Sequence, residues 1–275
     1  MIVKERKMPL ILRKMEALLR RIPDYHPKRK DIEVRFSKYM GGYRGEESLD
    51  YPLGFLPNKE SYILHDLRLW DGARYFQIDT LIITPAFILV LEVKNFLGML
   101  VFDQEFSQLI CLSEEKEESF PDPLLQVKRH ENQLNVWLNH HRFDKIAIES
   151  LVVISSPYTL IKNSINPQTR LNEKVLHTGK LMNKMEELNK RHSHHQLPNK
   201  LARKLIRQLQ KGHTPIEVDI LQRFKIKPDG ILKGVYCLDC GHLLMKRMSA
   251  KWICPECLST SGSFKNRKYV LTFSE

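Results

Sequence analysis

The stretch that decides the fold runs from residue 77 to residue 95 and reads QIDTLIITPAFILVLEVKN. Two apolar, β-rich runs flank the breaker Thr84-Pro85-Ala86, which predicts two adjacent strands joined as a hairpin. The second run is apolar at nearly every position except Glu92, so we expect a central strand that is buried on both faces. With helical patterns on either side, the sequence predicts an α/β protein.

Further elements surround this hairpin. Asp122-Pro123 opens a helix, with the aspartate as N-cap and the proline at the first helical position. We expect the apolar face of that helix to use Leu124, Leu125, Val127, Leu134, Val136 and Trp137. A helix near residues 38–55 runs across Gly41-Gly42 or restarts just after them. Other strands are predicted at 62–69, 98–103, 109–113 and 146–156, other helices at 9–22, 179–191 and 198–211, and an exposed acidic turn at 114–118.

The hairpin also carries two acidic residues and a lysine. Asp79 lies in the first run and Glu92 in the second, so antiparallel pairing lets their carboxylates approach each other. Lys94 is two residues after Glu92 and therefore shares its face of the strand. Two carboxylates in an apolar sheet resist burial unless a cation compensates them, and Mg²⁺ is the usual ion at phosphates. These residues suit hydrolysis of a phosphodiester, with the lysine orienting a water or stabilising phosphate charge.

Four strings in order along the chain resemble a known family. The pattern Asp79…Glu92-x-Lys94 is similar to the signature of PD-(D/E)xK nucleases. This resemblance implies the restriction-endonuclease-like fold, a mixed central sheet flanked by helices. The longer pattern resembles the NERD (nuclease-related) domain found in many bacterial proteins, over about residues 38–155. The strings that carry the resemblance are Gly45-Glu46, Gln77-Ile78-Asp79, Val90-Leu91-Glu92-Val93-Lys94-Asn95 followed by Gly98, and Pro123-Leu124-x-Gln126-Val127.

The resemblance implies roles for five residues. Asp79 and Glu92 would be ligands of Mg²⁺ or Mn²⁺, and Lys94 would be the catalytic lysine. Glu46 would complete the metal site directly or through a water. Gln126 would line the same site from the following helix. The implied activity is that of a metal-dependent nuclease acting on DNA, or on RNA.

Simpler explanations stay open for these residues. Glu92 and Lys94 could form an ion pair on a half-exposed strand without catalysis. Glu47 would serve as well as its neighbour on sequence alone, and Gln126 could be an ordinary surface residue. Ile78 stands where the family pattern has proline, a common departure in this superfamily. A complete motif can also belong to an inactive domain, so the alternative function is a nucleic-acid-binding or adaptor protein.

A second motif comprises Cys237-x2-Cys240 and Cys254-x2-Cys257, with thirteen residues between the pairs. Each pair can direct two thiolates at one ion, and two pairs complete a tetrahedral Zn²⁺ site. We therefore expect one structural Zn²⁺ in a zinc ribbon with short strands at 243–245 and 251–253. Four reduced structural cysteines are the alternative, and a disulfide suits a cytosolic protein less well.

The formal charge of +12, from 44 Lys and Arg against 32 Asp and Glu in 275 residues, is unevenly distributed. Residues 1–38 carry twelve basic residues against five acidic ones, and residues 180–211 carry nine against two. These segments flank an acidic stretch at 39–120, which favours a polyanion as partner. We expect nucleic acid as the partner, and DNA before RNA. Alternatively, the basic residues form ordinary solvated helix faces, or the ribbon contacts other proteins.

No stretch of the chain approaches 18 apolar residues, so we expect no membrane-spanning helix and no membrane partner. The apolar run after the first lysines is too short for a signal peptide, which predicts a cytoplasmic protein.

Changes in composition along the chain predict four segments. They are a basic N-terminal helical arm (1–37), a NERD-like nuclease-related domain (38–165), a basic helical segment (166–230) and the zinc ribbon (231–275).

Overall fold

The computed structural model describes residues 1–56, 61–114, 116–143, 146–164, 171–194, 196–249 and 251–262. The chain forms two compact units. The first, called the sheet unit, comprises Met1–Lys7 and Gly41–Pro215. The second, called the ribbon unit, comprises Met8–Met40 and the described residues from Ile216 onward. The segment predicted as an N-terminal arm and the one predicted as a basic helical segment each contribute residues to both units.

The strands of the sheet unit form two sheets. They are β1 (Ile2–Lys4), β2 (Tyr62–Trp70), β3 (Tyr75–Ile83), β4 (Ile88–Lys94), β5 (Met99–Asp103), β6 (Gln108–Leu112), β7 (Glu117–Pro121), β8 (Ile148–Ile154), β9 (Leu160–Asn163) and β10 (Val175–His177). The central sheet has the order β1-β2-β3-β4-β8-β10. In it β2, β3 and β4 are antiparallel neighbours, whereas β1, β8 and β10 pair in parallel with β2, β4 and β8. This arrangement confirms the predicted mixed sheet.

The smaller sheet has the order β7-β6-β5-β9. Its strand β7 pairs antiparallel with β6, from Gln108 opposite Pro121 to Leu112 opposite Glu117. The prediction of an exposed turn at 114–118 is therefore wrong from Glu117 onward, and residue 115 lies outside the described residues. The acidic side chains of this edge strand face solvent while its backbone pairs, so the local composition was misleading.

Both the sheet unit and the ribbon unit contain helices. They are α1 (Leu10–Leu19), α2 (Arg29–Glu47), α3 (Asp50–Leu53), α4 (Pro123–His140), α5 (Leu171–Lys174), α6 (Leu181–Arg191), α7 (Asn199–Gly212) and α8 (Ile220–Phe224). Of the two arrangements predicted around Gly41-Gly42, the structure has the continuous helix. Within the described ranges, no helix combines the length and apolarity that a membrane crossing requires.

Helix α4 begins where the sequence predicts. The Asp122 side chain accepts a hydrogen bond from the backbone N–H of Leu124 at 2.8 Å, and Pro123 occupies the first helical position. The predicted apolar face is wrong at Leu125 and Val136, which are 54% and 43% exposed. Each lies two positions, about 200° around the helix, from a buried residue and so faces outward. The buried positions are Pro123, Val127, His130, Leu134, Trp137 and Leu138.

Strand β4 is buried on both faces, as its apolar run predicts. Ile88 and Val90 belong to a core cluster that includes the buried side chains of α4 and α7. Leu89, Leu91 and Val93 belong to a second cluster that includes the buried side chains of α6. The alternation of side chains along the strand therefore places helices on both faces of the sheet.

Two small cores hold the ribbon unit. Helices α1 and α8 pack together around Met15, Leu18 and Phe224. The ribbon strands β11 (Lys246–Met248), β12 (Lys251–Ile253) and β13 (Thr260–Gly262) form an antiparallel sheet. The strand predicted at 251–253 is present, but the one predicted at 243–245 is wrong. That apolar run instead supplies Met245 to the core of the cysteine cluster, and the neighbouring strand starts one residue later.

Gly45 allows α2 to approach the end of β4 closely. A Cβ atom at this position would lie 2.5 Å from Cβ of Asn95 and 3.0 Å from Oγ of Ser155. Asn95 also ties the helix to the strand, since its Nδ2 donates to the carbonyl oxygen of Gly41 at 2.7 Å. This close contact places the last turn of α2, with Glu46, against the sheet.

Replacing Gly45 is expected to destabilise the sheet unit. Gly45→Ala should lower the free energy of unfolding by about 1–3 kcal/mol, because the added methyl group must displace the side chains of Asn95, at its rigid Cβ atom, and of Ser155. Gly42→Ala is the matched control in the same helix, since nothing lies within 4 Å of its Cβ position. The control should stabilise the helix by roughly 0.5–1 kcal/mol. Chemical denaturation followed by circular dichroism measures both, and shifts of the same sign would contradict the packing argument.

Candidate functional site

The β3–β4 hairpin brings Asp79 and Glu92 to facing positions on neighbouring strands. The pairing of Thr80 with Leu91 is the last before them in the ladder, and Asp79 and Glu92 are the next residues on each strand. Asp79 Oδ2 accepts a hydrogen bond from the backbone N–H of Val93 at 2.9 Å, which fixes its orientation toward β4. The structure thus brings together the two carboxylates that the hairpin spacing pointed to.

Lys94 lies between Glu92 and Gln126. Its Nζ donates to Glu92 Oε1 at 2.7 Å and to Gln126 Oε1 at 3.1 Å. The Glu92 side chain is 4% exposed and that of Lys94 is 22% exposed, so the ion pair is largely shielded from water. Gln126 reaches this pair from the first turn of α4, whose start is set by the Asp122 cap. Helix capping therefore positions one member of the site.

Glu46 reaches the same region from the last turn of α2 and is held by Arg6, which follows β1. Arg6 Nη1 donates to Glu46 Oε2 at 2.9 Å, and Arg6 Nε donates to Asp50 Oδ1 at 3.2 Å. Arg6 Nη2 lies 2.8 Å from His65 Nδ1 and donates to Thr80 Oγ1 at 3.2 Å. The Arg6 side chain is 4% exposed, so these two carboxylates balance a nearly buried charge.

The carboxyl groups of the site hold their protons more tightly than usual. Burial, followed by the charge of Asp79, raises the pKa of Glu46 to about 8 and that of Glu92 to about 7. Burial also raises the pKa of Asp79. Arg6 opposes the pKa shift of Glu46, and Lys94 opposes that of Glu92, but neither cancels it. Burial and mutual repulsion thus disfavour the charged form of these carboxyl groups, a penalty that a bound cation would offset.

The donors at this site fit a hard divalent cation. Glu92 Oε2 is buried and makes no hydrogen bond within the described residues. Such an oxygen is unfavourable when unpartnered, and carboxylate oxygens are the ligands that Mg²⁺ takes in proteins. Glu46, Asp79 and Glu92 do not converge fully, however. In the described ranges, the four cysteines are the one group of three or more such ligands that converges closely enough to hold an ion, and these carboxylates are not among them.

A cleft of about 480 Å³ opens beside the carboxylates. Asp79, Gln126 and His130 contribute to its wall, together with the cations Arg74 and Arg129. The arginines place positive charge next to the acidic cluster. An anion that entered this cleft would therefore meet favourable charge before it reached the carboxylates.

Two residues of the site were missed by the sequence reasoning. Arg6 is forty positions from Glu46 in the sequence, and nothing in the pattern joins them. His130 lies one helical turn after Gln126, a spacing that would have identified it. Its Nδ1 lies 3.6 Å from Glu92 Oε2 and makes no hydrogen bond within the described residues. Burial, and then Arg129, lower the pKa of His130 to about 4, so it is neutral at pH 7.

The four cysteines of the ribbon unit converge on one point. Cys237 Sγ lies 3.6 Å from Cys257 Sγ, Cys240 Sγ lies 3.5 Å from Cys254 Sγ, and all four sulfurs lie within 4.8 Å of one another. Sulfurs bound to one tetrahedral ion at about 2.3 Å would be about 3.8 Å apart, so the set fits a metal ion. Hydrogen bonds with Ser259 lower the pKa of Cys237 to about 6 and also lower that of Cys257, whereas burial and the neighbouring thiols raise the pKa of Cys240. The cluster is consistent with the predicted zinc ribbon.

The fold and the site define a mixed α/β domain with acidic residues and a lysine at the end of a hairpin. Residues 41–155 match the family NERD, described as nuclease-related domain. The match spans about two fifths of the chain, contains all five residues of the predicted site, and confirms the resemblance. It indicates a nuclease-related function in general. No curated protein and no solved structure matches the chain.

Proposed function

We propose that this protein is a metal-dependent nuclease that hydrolyses phosphodiester bonds in DNA, with RNA as the second polynucleotide. The observation that carries the proposal is the contact of Lys94 with both Glu92 and Gln126, beside Asp79. The match to a nuclease-related domain over this region supports it. An acidic pair, a lysine and an adjoining cleft are the groups that hydrolysis of a phosphate ester requires.

In this proposal Asp79 and Glu92 would hold Mg²⁺ or Mn²⁺, and Glu46 would assist directly or through a water. The bound ion would supply positive charge at the phosphate and lower the pKa of a water. Lys94, held by Glu92 and Gln126, would donate a hydrogen bond to the attacking water or to a phosphate oxygen. The water oxygen bonds to phosphorus, one ester P–O bond breaks, and the departing oxygen takes up a proton.

We further propose that the cysteine cluster holds one structural Zn²⁺. Four thiolates fill a tetrahedral shell and leave no open position for a substrate, so this ion would stabilise the fold and take no part in hydrolysis. A cluster of reduced cysteines also supports our proposal of a cytoplasmic protein, because thiols stay reduced there. The ribbon and the basic segments would add contacts to nucleic acid.

Purified protein is expected to cut at least one polynucleotide when Mg²⁺ or Mn²⁺ is added and none without a divalent ion. Gel assays over end-labelled single- and double-stranded DNA and RNA, each with a metal series, measure this. Ca²⁺ serves as a control because its larger, more flexible coordination differs from the octahedral geometry of Mg²⁺. If every substrate stays intact with every metal, the nuclease proposal is wrong.

A nucleic-acid-binding protein without nuclease activity is the second candidate. The observation that favours it is the engagement of Glu46 by Arg6, together with the incomplete convergence of the three carboxylates within the described residues. A salt-dependent gel shift without cleavage under any divalent ion would support this candidate over the nuclease.

A further inference from the structure

A second cleft, of about 730 Å³, lies in the sheet unit beside β1, β2 and α7. It shares no lining residue with the cleft at Asp79. Lys200, Arg203 and Arg207 form its charged wall, and Val3 and Tyr62 contribute to its floor. No acidic residue lines it among the described residues. We refer to this feature as the α7 cleft.

The cations of the α7 cleft lie in one row on the helix. Lys200, Arg203 and Arg207 are spaced three and four residues apart, so their side chains are neighbours on one face. All three are exposed, and over the described ranges none of them forms an ion pair. Neighbouring like charges destabilise a helix, so this row lowers the stability of α7 unless an anion compensates it.

The row is not required for the packing of α7. The opposite face of the helix carries Ala202, Leu205 and Leu209, which are buried in the core of the sheet unit. Burial of that apolar face accounts for the position of the helix. The charged row is therefore available to bind a ligand without a change in the fold.

The chemistry of the α7 cleft selects phosphate groups over bases. Arginine binds phosphate oxygens in a bidentate manner, and the cleft contains two arginines. The aromatic residue of the floor, Tyr62, is 8% exposed, and its hydroxyl donates to Asn199 Oδ1 at 3.2 Å. It offers no open face on which a base could stack. The row from Lys200 to Arg207 extends about 10 Å along the helix, which is about the span of three phosphates of a duplex strand.

We propose that the α7 cleft binds the phosphodiester backbone of nucleic acid, as a contact site separate from the carboxylate site. This inference deepens the proposed function and rests on it for the identity of the ligand. The cleft would hold the polynucleotide through sequence-independent phosphate contacts. The acidic centre would then act on a strand that the cleft has already bound.

The test is a binding titration of the full chain in an Asp79→Ala background without added divalent ion. The probes are fluorescein-labelled duplex DNA, single-stranded DNA and RNA. Each is 20 nucleotides long, roughly six times the stretch of three phosphates that the α7 row can contact. Combined replacement Lys200→Gln, Arg203→Gln and Arg207→Gln should raise Kd at least about tenfold at 0.1 M salt. The slope of log Kd against log salt should fall by about 2–3, because each lost phosphate contact removes about 0.9 from it.

The matched control has the same change in charge outside the cleft. Lys116→Gln, Lys128→Gln and Lys162→Gln replace three exposed lysines of the sheet unit that lie outside the basic segments, and Kd should change less than about twofold. Equal weakening by both triple variants would overturn the inference, since net charge alone would then explain it. An unchanged Kd in the cleft variant would overturn it as well. If the cleft variant melts early, Arg203→Gln alone should still raise Kd about threefold.

Further outcomes separate this inference from the nuclease proposal. If the same three cleft replacements, made in a protein that keeps Asp79, weaken binding yet leave the cleavage rate at saturating substrate normal, both proposals stand. If the parent protein binds through the cleft but cleaves nothing, the inference stands and the nuclease proposal fails. If a polyglutamate peptide competes with the labelled probe and unlabelled oligonucleotide does not, the cleft recognises an acidic protein and the inference is overturned.

Discussion

Asp79→Asn is expected to reduce cleavage at least about 100-fold while the protein stays folded, because catalytic electrostatic groups contribute effects of this size. The asparagine oxygen can still accept the hydrogen bond that Asp79 receives from the N–H of Val93. It lacks the negative charge needed to hold a divalent cation. Lys94→Ala should cause a loss of similar size by removing the donor between Glu92 and Gln126. Initial rates at saturating substrate measure both effects, and circular dichroism reports the fold.

The controls for these variants use the same substitutions elsewhere in the sheet unit. Asp103→Asn at the end of β5 and Lys162→Ala on β9 should leave the rate within about twofold. Without divalent ion, Asp79→Asn should also raise the melting temperature by a few degrees, because it removes a carboxyl group whose charged form is penalised by burial and which repels Glu46 and Glu92. Full cleavage by both Asp79→Asn and Lys94→Ala would show that these residues are not catalytic.

Cys237→Ser is expected to release the metal and unfold the ribbon while the sheet unit stays folded. Structural Zn²⁺ contributes about 10–16 kcal/mol of apparent binding free energy in small zinc-dependent domains, which is folding free energy. Among the described residues, the buried core of the ribbon consists of Cys237, Met245 and Cys254, too little apolar surface to fold alone. Metal analysis should fall from about one Zn²⁺ per chain to none, and hydrogen exchange should lose protection at 246–253.

Cys111→Ser is the matched control for the zinc prediction. Cys111 lies in β6, outside the cysteine cluster, and is partly buried. Its replacement should leave both the metal content and the exchange protection of the ribbon unchanged. A metal-free Cys237→Ser protein that keeps protected amides at 246–253 would contradict the structural role of the ion.

The hairpin and its acidic pair are predictable from the sequence because they depend on local spacing. Once the breaker around Pro85 fixes the turn, antiparallel register alone places Asp79 opposite Glu92. The alternation of side chains then puts Lys94 beside Glu92. The start of α4 is predictable in the same way, from capping chemistry. The position of Gln126 beside Lys94 follows from where that helix starts.

The rest of the site depends on contacts between distant parts of the chain, which no local pattern encodes. Arg6 reaches Glu46 only because β1 pairs in parallel with β2. The close approach of α2 depends on the absence of a Cβ at Gly45. That requirement can be recognised only once the fold has placed Asn95 and Ser155 beside the glycine. Composition also gave a wrong prediction for β7, because its acidic residues suggested a turn whereas backbone pairing with β6 forms a strand.

The short strand β1 links the edge of the sheet to the charge of the site. Arg6 and a divalent cation would compete for the same carboxylate of Glu46, so their effects are thermodynamically coupled. By reciprocity, a change that detached β1 from β2 would strengthen cation binding at Glu46, and a bound cation would weaken the docking of β1 by the same factor. The gain in metal affinity when β1 is detached and the rise in β1 amide exchange when metal is added would therefore report the same coupling free energy.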